Sequence, residues 1–542
     1  MTYTSTQSGL PLPVSPAGTA EERAALSDHS SKGSKMYIGD YLGRRAIYSP
    51  DALAIVDTGK TPELRLTYAQ MNERANRLAN WLSATAGIGK GDRVAILAQD
   101  RVEHLDSLFA CGKLGAVHTA LNWRLHWREL QQILANVTPT VLFYDDAFKD
   151  AVTQLAQAET SLRHWVHLDG DGIPGSLEFD ALLAAAPTTP CVCESLESED
   201  IATILFTGGT TGLPKGAQIS HRQIAWNCHN TVIHDLGRGD VYLNVFPMFH
   251  AGGLFAYASS QVIMGGTTIL TKRFDPELVL RLIEREKVTV FAAVPAMYQM
   301  LTQTPAWADA DLSSLRFCTS GGAPLPVPLV EQYTREKGVR FKQGFGMTEF
   351  GPGLFALAPE DAIRKAGSIG RPNFFIDARV VDRDNRPLGS NQVGELVLKG
   401  PSIASGYFNN SAAWAEMIDR DGWFHTGDLA RHDEDWYFTI VDRLKDMFIS
   451  GGENVYPTEI EAVLYKHPAV FQCAVVGVPD EKWGEVGKAF VVLKPGQTAT
   501  AESLLTHLGE HLARYKIPRH VEFLTALPIS AAGKVLRREL RG

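Results

Sequence analysis

The sequence predicts an α/β protein whose larger, N-terminal part is built on parallel sheet. Three observations carry that prediction. Apolar runs of strand length alternate with helical segments from about Thr67 to Tyr144, the order that right-handed crossovers between parallel strands impose. Strand candidates ending at Phe206, Ser320 and Lys342 run straight into polar, glycine-rich stretches, and ligands collect beyond such carboxyl ends in open α/β sheets. Past Gly370 the texture changes to short strands and turns, then to a small α/β unit.

Residues 1–35 are rich in Ser, Thr, Pro, Gly and Ala and read as a flexible leader. Thr67 with Gln70 makes a capping box opening a helix whose stripe is Met71, Leu78 and Leu82. Strands follow at Val94–Leu97, Ala116–Leu121 and Val141–Tyr144, with helices around His104–Gly115 and Arg128–Ala135 between them. Phe246–Gly253 leads into another apolar helix, and Asp275-Pro276 supplies an N-cap and first-turn proline for the next. Val288–Val294, Leu315–Ser320 and Val339–Lys342 read as further strands, the last ending at Gln343. Ala378–Val381 and Glu395–Lys399 belong to a β-rich subdomain. Phe471–Val478, Lys488–Leu493, a helix near Glu502–Leu512 and a strand near His520–Leu524 form the final unit.

A chain of 542 residues with 45% apolar and 21% charged residues has the composition of a soluble multidomain enzyme. Its net charge of −9 argues against a nucleic-acid partner. Six scattered cysteines without a Cys-x-x-Cys pair fit a reducing cytoplasm. No apolar run approaches the roughly 18–20 residues of a membrane span.

The chemistry begins at Thr207–Gly216. Thr207, Gly208, Gly209, Thr210, Thr211 and Gly212 offer hydroxyls and backbone N–H groups with little bulk, and Lys215 adds a positive charge. Such a loop can close around phosphate oxygens. It is neither a Walker A motif, which would open a helix with Gly-Lys-[Ser/Thr], nor a Gly-x-Gly-x-x-Gly fingerprint.

With the further motifs Gly344–Glu349, Thr426–Asp428, Asp442–Asp446, Ser450–Asn454 and Gly533-Lys534, the chain from about Thr67 to Arg538 resembles the adenylate-forming superfamily. That superfamily comprises acyl- and aryl-CoA synthetases, nonribosomal peptide adenylation domains and beetle luciferases. The resemblance implies a large N-terminal domain (36–442) with parallel-sheet α/β subdomains and a small β-rich subdomain. A hinge at 443–445 and a small mobile α+β C-terminal domain (446–542) complete it. The implied reaction uses ATP, Mg²⁺ and coenzyme A. A carboxylate attacks the α-phosphate, pyrophosphate leaves, and a thiol then displaces AMP. In this scheme the Thr207–Gly216 loop holds the β- and γ-phosphates. Many members have Ser at position 208, so Gly208 removes one hydroxyl and keeps the amide. Thr348 bonds the α-phosphate, Glu349 binds Mg²⁺, Phe345 after Gly344 stacks on adenine, and Asp428 and Arg443 hold the ribose. Lys534 bridges the two anions during adenylation. Lys445 is the hinge, Gly451, Gly452 and Glu453 line the pantetheine tunnel, and His250 gates it.

The same resemblance places the acid in a pocket lined by Phe249, Ala296, Gly321, Gly322, Gly346 and Gly353. Neither a base for a second carboxylate nor, Glu349 aside, an acid for an amino group lies in those stretches. An apolar acid is expected, with a medium- or long-chain fatty acid preferred because the glycines leave room for a channel. An aryl acid is the alternative, as are delivery to a carrier protein or amine and a catalytically inactive nucleotide-binding protein. A homodimer is left open.

Overall fold

The computed structural model describes residues 38–158, 161–207, 214–323, 325–529 and 535–541. The leader at 1–35, the loop residues Gly208, Gly209, Thr210, Thr211 and Gly212, and Lys534 lie outside them. Among the described residues, two large sheets dominate. One has nine strands, and its parallel centre runs in the spatial order Leu53–Asp57, Thr267–Leu270, Val241–Asn244, Val290–Ala293, Phe317–Ser320, Phe341–Met347. The other has eight strands, with Val117–Ala120, Arg93–Leu97, Val141–Tyr144 and His164–His167 parallel at its centre. Central strands such as Val141–Tyr144 and Val290–Ala293 are buried at every residue. Their unbroken apolar runs reflect helices packed on both faces.

The helices begin where local chemistry places them. Thr67 accepts from the Gln70 amide while the Gln70 side chain returns the bond, and the helix Tyr68–Ala84 buries Met71, Leu78 and Leu82. Each of those side chains contributes about 1.5–3 kcal/mol by leaving water. Asp275 caps Pro276–Arg285 by accepting from the Leu278 amide at 2.7 Å. The helix expected around Arg128–Ala135 spans Trp127–Val137, extended because His126 and Glu129 form their own capping box.

Two expectations are corrected. The strand expected to stop at Gln343 runs on as Phe341–Met347 and folds back on Gly351–Leu357, with Phe345 opposite Phe355 and Met347 opposite Gly351. A glycine run that reads as a stop is here a bulged hairpin arm, because Gly346 meets the Pro352 carbonyl where any side chain would stand. The helix expected after Gly253 begins with a π-helical turn, Gly252–Ala256, before Ala258–Met264.

A four-stranded antiparallel sheet spans Asp377–Val381, Gly394–Lys399, Phe424–His432 and Phe438–Arg443. Phe448–Ser450 then enters a separate five-stranded sheet built on Val470–Asp480 and Gly484–Leu493. No helix among the described residues is long and apolar enough to cross a membrane.

Candidate active site

The strands on either side of the glycine–threonine loop pair with each other. Ile201–Thr207 pairs antiparallel with Lys215–Ser220, Thr207 stands opposite Lys215, and the Thr207 hydroxyl donates to the Lys215 carbonyl at 3.3 Å. The short strand Gly406–Tyr407 pairs with the far edge of this strand pair, Tyr407 opposite Ala217. The Lys215 ammonium sits 4.9 Å from the Tyr407 ring centre.

Tyr407 also reaches Glu349. Its hydroxyl donates to Glu349 Oε1 at 2.8 Å, and the Ala404 amide donates to the Glu349 carbonyl at 2.7 Å. Burial, then the Glu349 carboxylate beside it, push the Tyr407 phenol well above the usual tyrosine range. Sequence reading missed Tyr407, which lies 58 positions from its partner. Glu349 and Thr348 sit in the turn of the Phe341–Leu357 hairpin. Phe345 is half-buried with its ring edge-on to Phe355 at 5.7 Å.

Asp428 is buried on the strand Phe424–His432, directly across from Arg443, whose Nε stands 3.4 Å from Asp428 Oδ1. Gly427, at φ +71°, turns the chain just before it, a left-handed conformation that glycine adopts without strain. Glu395 holds that turn by accepting from the Gly427 amide and from the His425 ring. Lys445 is exposed two residues beyond Arg443, and its carbonyl accepts from Arg541 at 3.3 Å. Gly451, Gly452 and Glu453 are exposed. The missing side chain of Gly451 is matched by the Trp483 ring, 2.7 Å from where a Cβ would stand, and Trp483 was not anticipated.

The residues expected to line the acid pocket differ in exposure and in their neighbours. Phe249 is buried, its ring tilted against His250 at 4.6 Å and edge-on to Trp123 at 6.2 Å. Asp100 fixes this loop by accepting from the Met248 amide at 2.7 Å, and burial raises its carboxyl to about 7. Gly321 and Gly322 have only ordinary contacts where a Cβ would stand. Ala296 is exposed on the first turn of Pro295–Gln303. Gly346 and Gly353 differ in the room they leave. Pro352 fills the place beside Gly346, and the Thr231 hydroxyl and Asn227 Oδ1 lie 3.4 and 3.5 Å from a Cβ at Gly353.

Those last neighbours belong to the helix His221–Val232, capped by Ser220. Gln223 donates to the Thr348 carbonyl at 3.1 Å, and Asn227 bridges the Phe255 carbonyl and the Gly353 amide. A small cavity lies between Gln223, Asn227, Ala251, Phe255, Thr348 and Gly351. Sequence reading missed this polar helix face; its only signal was amide side chains recurring at helical spacing.

Comparison with known proteins bears on the same segments. The AMP-binding enzyme profile matches residues 43–408, and its C-terminal domain profile matches 459–534. Feruloyl-CoA synthase of an Amycolatopsis species is 43% identical over 505 residues, covering 93% of this chain and 98% of that protein. A long-chain-fatty-acid–CoA ligase of Mycobacterium tuberculosis, FadD13, is 38% identical over 510 residues, covering 93% and 98%. The crystal structure of ATP-bound MatB from Rhodopseudomonas palustris superposes with a TM-score of 0.85 at 31% identity, covering 93% of this chain and 98% of that one. The Ile201–Ser220 strand pair, the Glu349 turn and the Asp428–Arg443 pair thus stand in a chain that belongs to the AMP-binding enzyme family.

Proposed function

We propose that this chain is an ATP-dependent acid–CoA ligase that activates an oxygenated aromatic acid, of the class to which ferulate belongs. The observation that carries the choice of acid is the polar lining beside Gly353. The Thr231 hydroxyl and the Asn227 amide of the helix His221–Val232 border that glycine, a surface that suits an oxygenated acid better than an alkyl chain. The greater identity to a feruloyl-CoA synthase than to a long-chain ligase supports the same reading and displaces the fatty-acid preference.

In the first step the acid's carboxylate oxygen attacks the α-phosphorus and the bond to pyrophosphate breaks. Backbone amides of Gly208–Gly212 hold the outer phosphates and Thr348 bonds the α-phosphate. Lys534 offsets the repulsion between the two anions. The half-exposed carboxylate of Glu349, oriented through one oxygen by Tyr407, suits a hard divalent cation such as Mg²⁺. That ion's contribution is to neutralise phosphate charge. Asp428 accepts from the ribose hydroxyls, Arg443 steadies it, and Phe345 stacks on the base. In the second step the CoA thiolate attacks the acyl carbon and AMP leaves. Residues 446–542 turn about Lys445 between the steps, bringing Gly451, Gly452 and Glu453 to the thiol path that His250 gates.

The test is a panel of ferulate, indoleacetate, decanoate and palmitate, following pyrophosphate release and thioester formation with and without CoA. Aromatic acids should exceed the fatty acids in kcat/KM by an order of magnitude or more. A fatty acid at the top of the ranking would overturn the substrate class. Adenylate that never becomes thioester would overturn CoA as acceptor.

A further inference from the structure

One buried amide on the helix His221–Val232 has no hydrogen-bond partner among the described residues. Gln223, Asn227 and Asn230 recur on one side of that helix at spacings of four and three. Gln223 bonds the Thr348 carbonyl and Asn227 bridges two backbone groups. Asn230 is fully buried, yet among the described residues neither its Oδ1 nor its Nδ2 has a partner. Burying an amide without a hydrogen bond is costly, and such groups in native proteins call for an explanation.

Its position supplies one. The Asn230 Cβ lies 3.7 Å from where a Cβ of Gly353 would stand, so this residue stands beside the space that the glycine leaves without a side chain. Asn230 is seven residues beyond Gln223, the residue that holds Thr348, which is about 10 Å along the helix axis. A phenylpropenoic acid spans roughly 8 Å from its carboxyl carbon to an oxygen at the para position, taking ordinary bond lengths. A benzoic acid is about 2 Å shorter on the same basis.

We infer that Asn230 recognises the para-hydroxyl of a hydroxylated phenylpropenoic acid, donating through Nδ2 to the phenolic oxygen and accepting the phenolic proton at Oδ1. An amide presents a donor and an acceptor together, and a phenol needs both. The inference rests on the aromatic reading above and goes beyond it, assigning selectivity among aromatic acids to a single side chain. A site built to bond a substrate hydroxyl discriminates against the analogue lacking it, because its own polar group is then left unpaired.

The experiment compares kcat/KM for 4-hydroxycinnamate and for cinnamate in the full-length wild type, Asn230→Leu and Asn230→Ala, with thermal melting and the KM for ATP measured alongside. The wild type should prefer the hydroxylated acid by roughly 10–100-fold. Both variants should bring that ratio close to one while the KM for ATP stays put. Asn230→Leu should melt no lower than the wild type, because it removes an unpaired buried amide. A ratio unchanged in both folded variants, or a wild type indifferent to the hydroxyl, would overturn the assignment and leave the aromatic reading intact. A wild type that activates neither cinnamate but does activate decanoate would overturn the aromatic reading itself, and the assignment with it.

Discussion

In the proposed mechanism the two ends of the site are built on opposite principles. At the nucleotide end the polar side chains are partnered: buried Asp428 faces the exposed Arg443, and half-buried Glu349 takes a hydrogen bond from Tyr407. At the acid end they are buried, and some are left over. Asp100 is almost wholly enclosed with its carboxyl raised to about 7, and the amide of Asn230 is unpartnered. A charge that already has an opposite partner can be held ready for a charged ligand at small cost, whereas a buried polar group without one is costly until something matches it. The nucleotide end is therefore suited to driving a reaction, and the acid end to choosing what reacts.

That contrast predicts large rate effects at the first end and effects on selectivity or stability at the second. The largest belongs to Lys534→Ala, which should lower adenylate formation by about 10²–10³-fold while leaving thioester formation from preformed acyl-AMP comparatively intact; stopped-flow assays of the half-reactions check it. Glu349→Gln keeps the side-chain shape and removes the charge that would hold a cation. It should lower kcat by about 10²-fold and raise the Mg²⁺ concentration needed for half-maximal rate.

Asp100→Asn tests the acid end through stability. Its folded-state pKa is raised from an ordinary 3.8 to about 7, chiefly by burial, so ionisation opposes folding. The cost is absent below about pH 4, grows as pH rises towards 7, and is fully present above it. Asn retains an acceptor for the Met248 amide, so the variant should equal the wild type near pH 4 and exceed it by roughly 1–3 kcal/mol above pH 7. Urea melts across that range decide the sign. Tyr407→Phe is expected to have the smallest effect, a loss of about 1 kcal/mol in kcat/KM, read most clearly at limiting Mg²⁺. An acid-end substitution that slowed adenylation of every acid equally would break the contrast.

The nucleotide end was legible in the sequence because each of its motifs is one loop or turn. Thr207–Gly216, Gly344–Glu349 and Thr426–Asp428 place donors and carboxylates in consecutive residues, where local geometry suffices. The parallel architecture was legible for a related reason: double-faced burial writes itself as unbroken apolar runs such as Val141–Tyr144. What escaped depends on distance along the chain. Tyr407 reaches Glu349 only because two strands meet, and Trp483 reaches Gly451 only across the C-terminal sheet. Gly346 and Gly353 announced missing side chains, but nothing local said that Pro352 and the helix His221–Val232 would occupy the room. A glycine in sequence marks a vacancy without naming the neighbour.

The short strand Gly406–Tyr407 couples parts that could otherwise shift separately. It is stitched to the strand Lys215–Ser220 on one side and clasps the Glu349 turn on the other. In the proposed mechanism the segment meant to grip the outer phosphates and the carboxylate meant to face the metal are thereby yoked into one mechanical piece. Letting go of pyrophosphate would then call for motion elsewhere, in the part of the chain that follows Arg443.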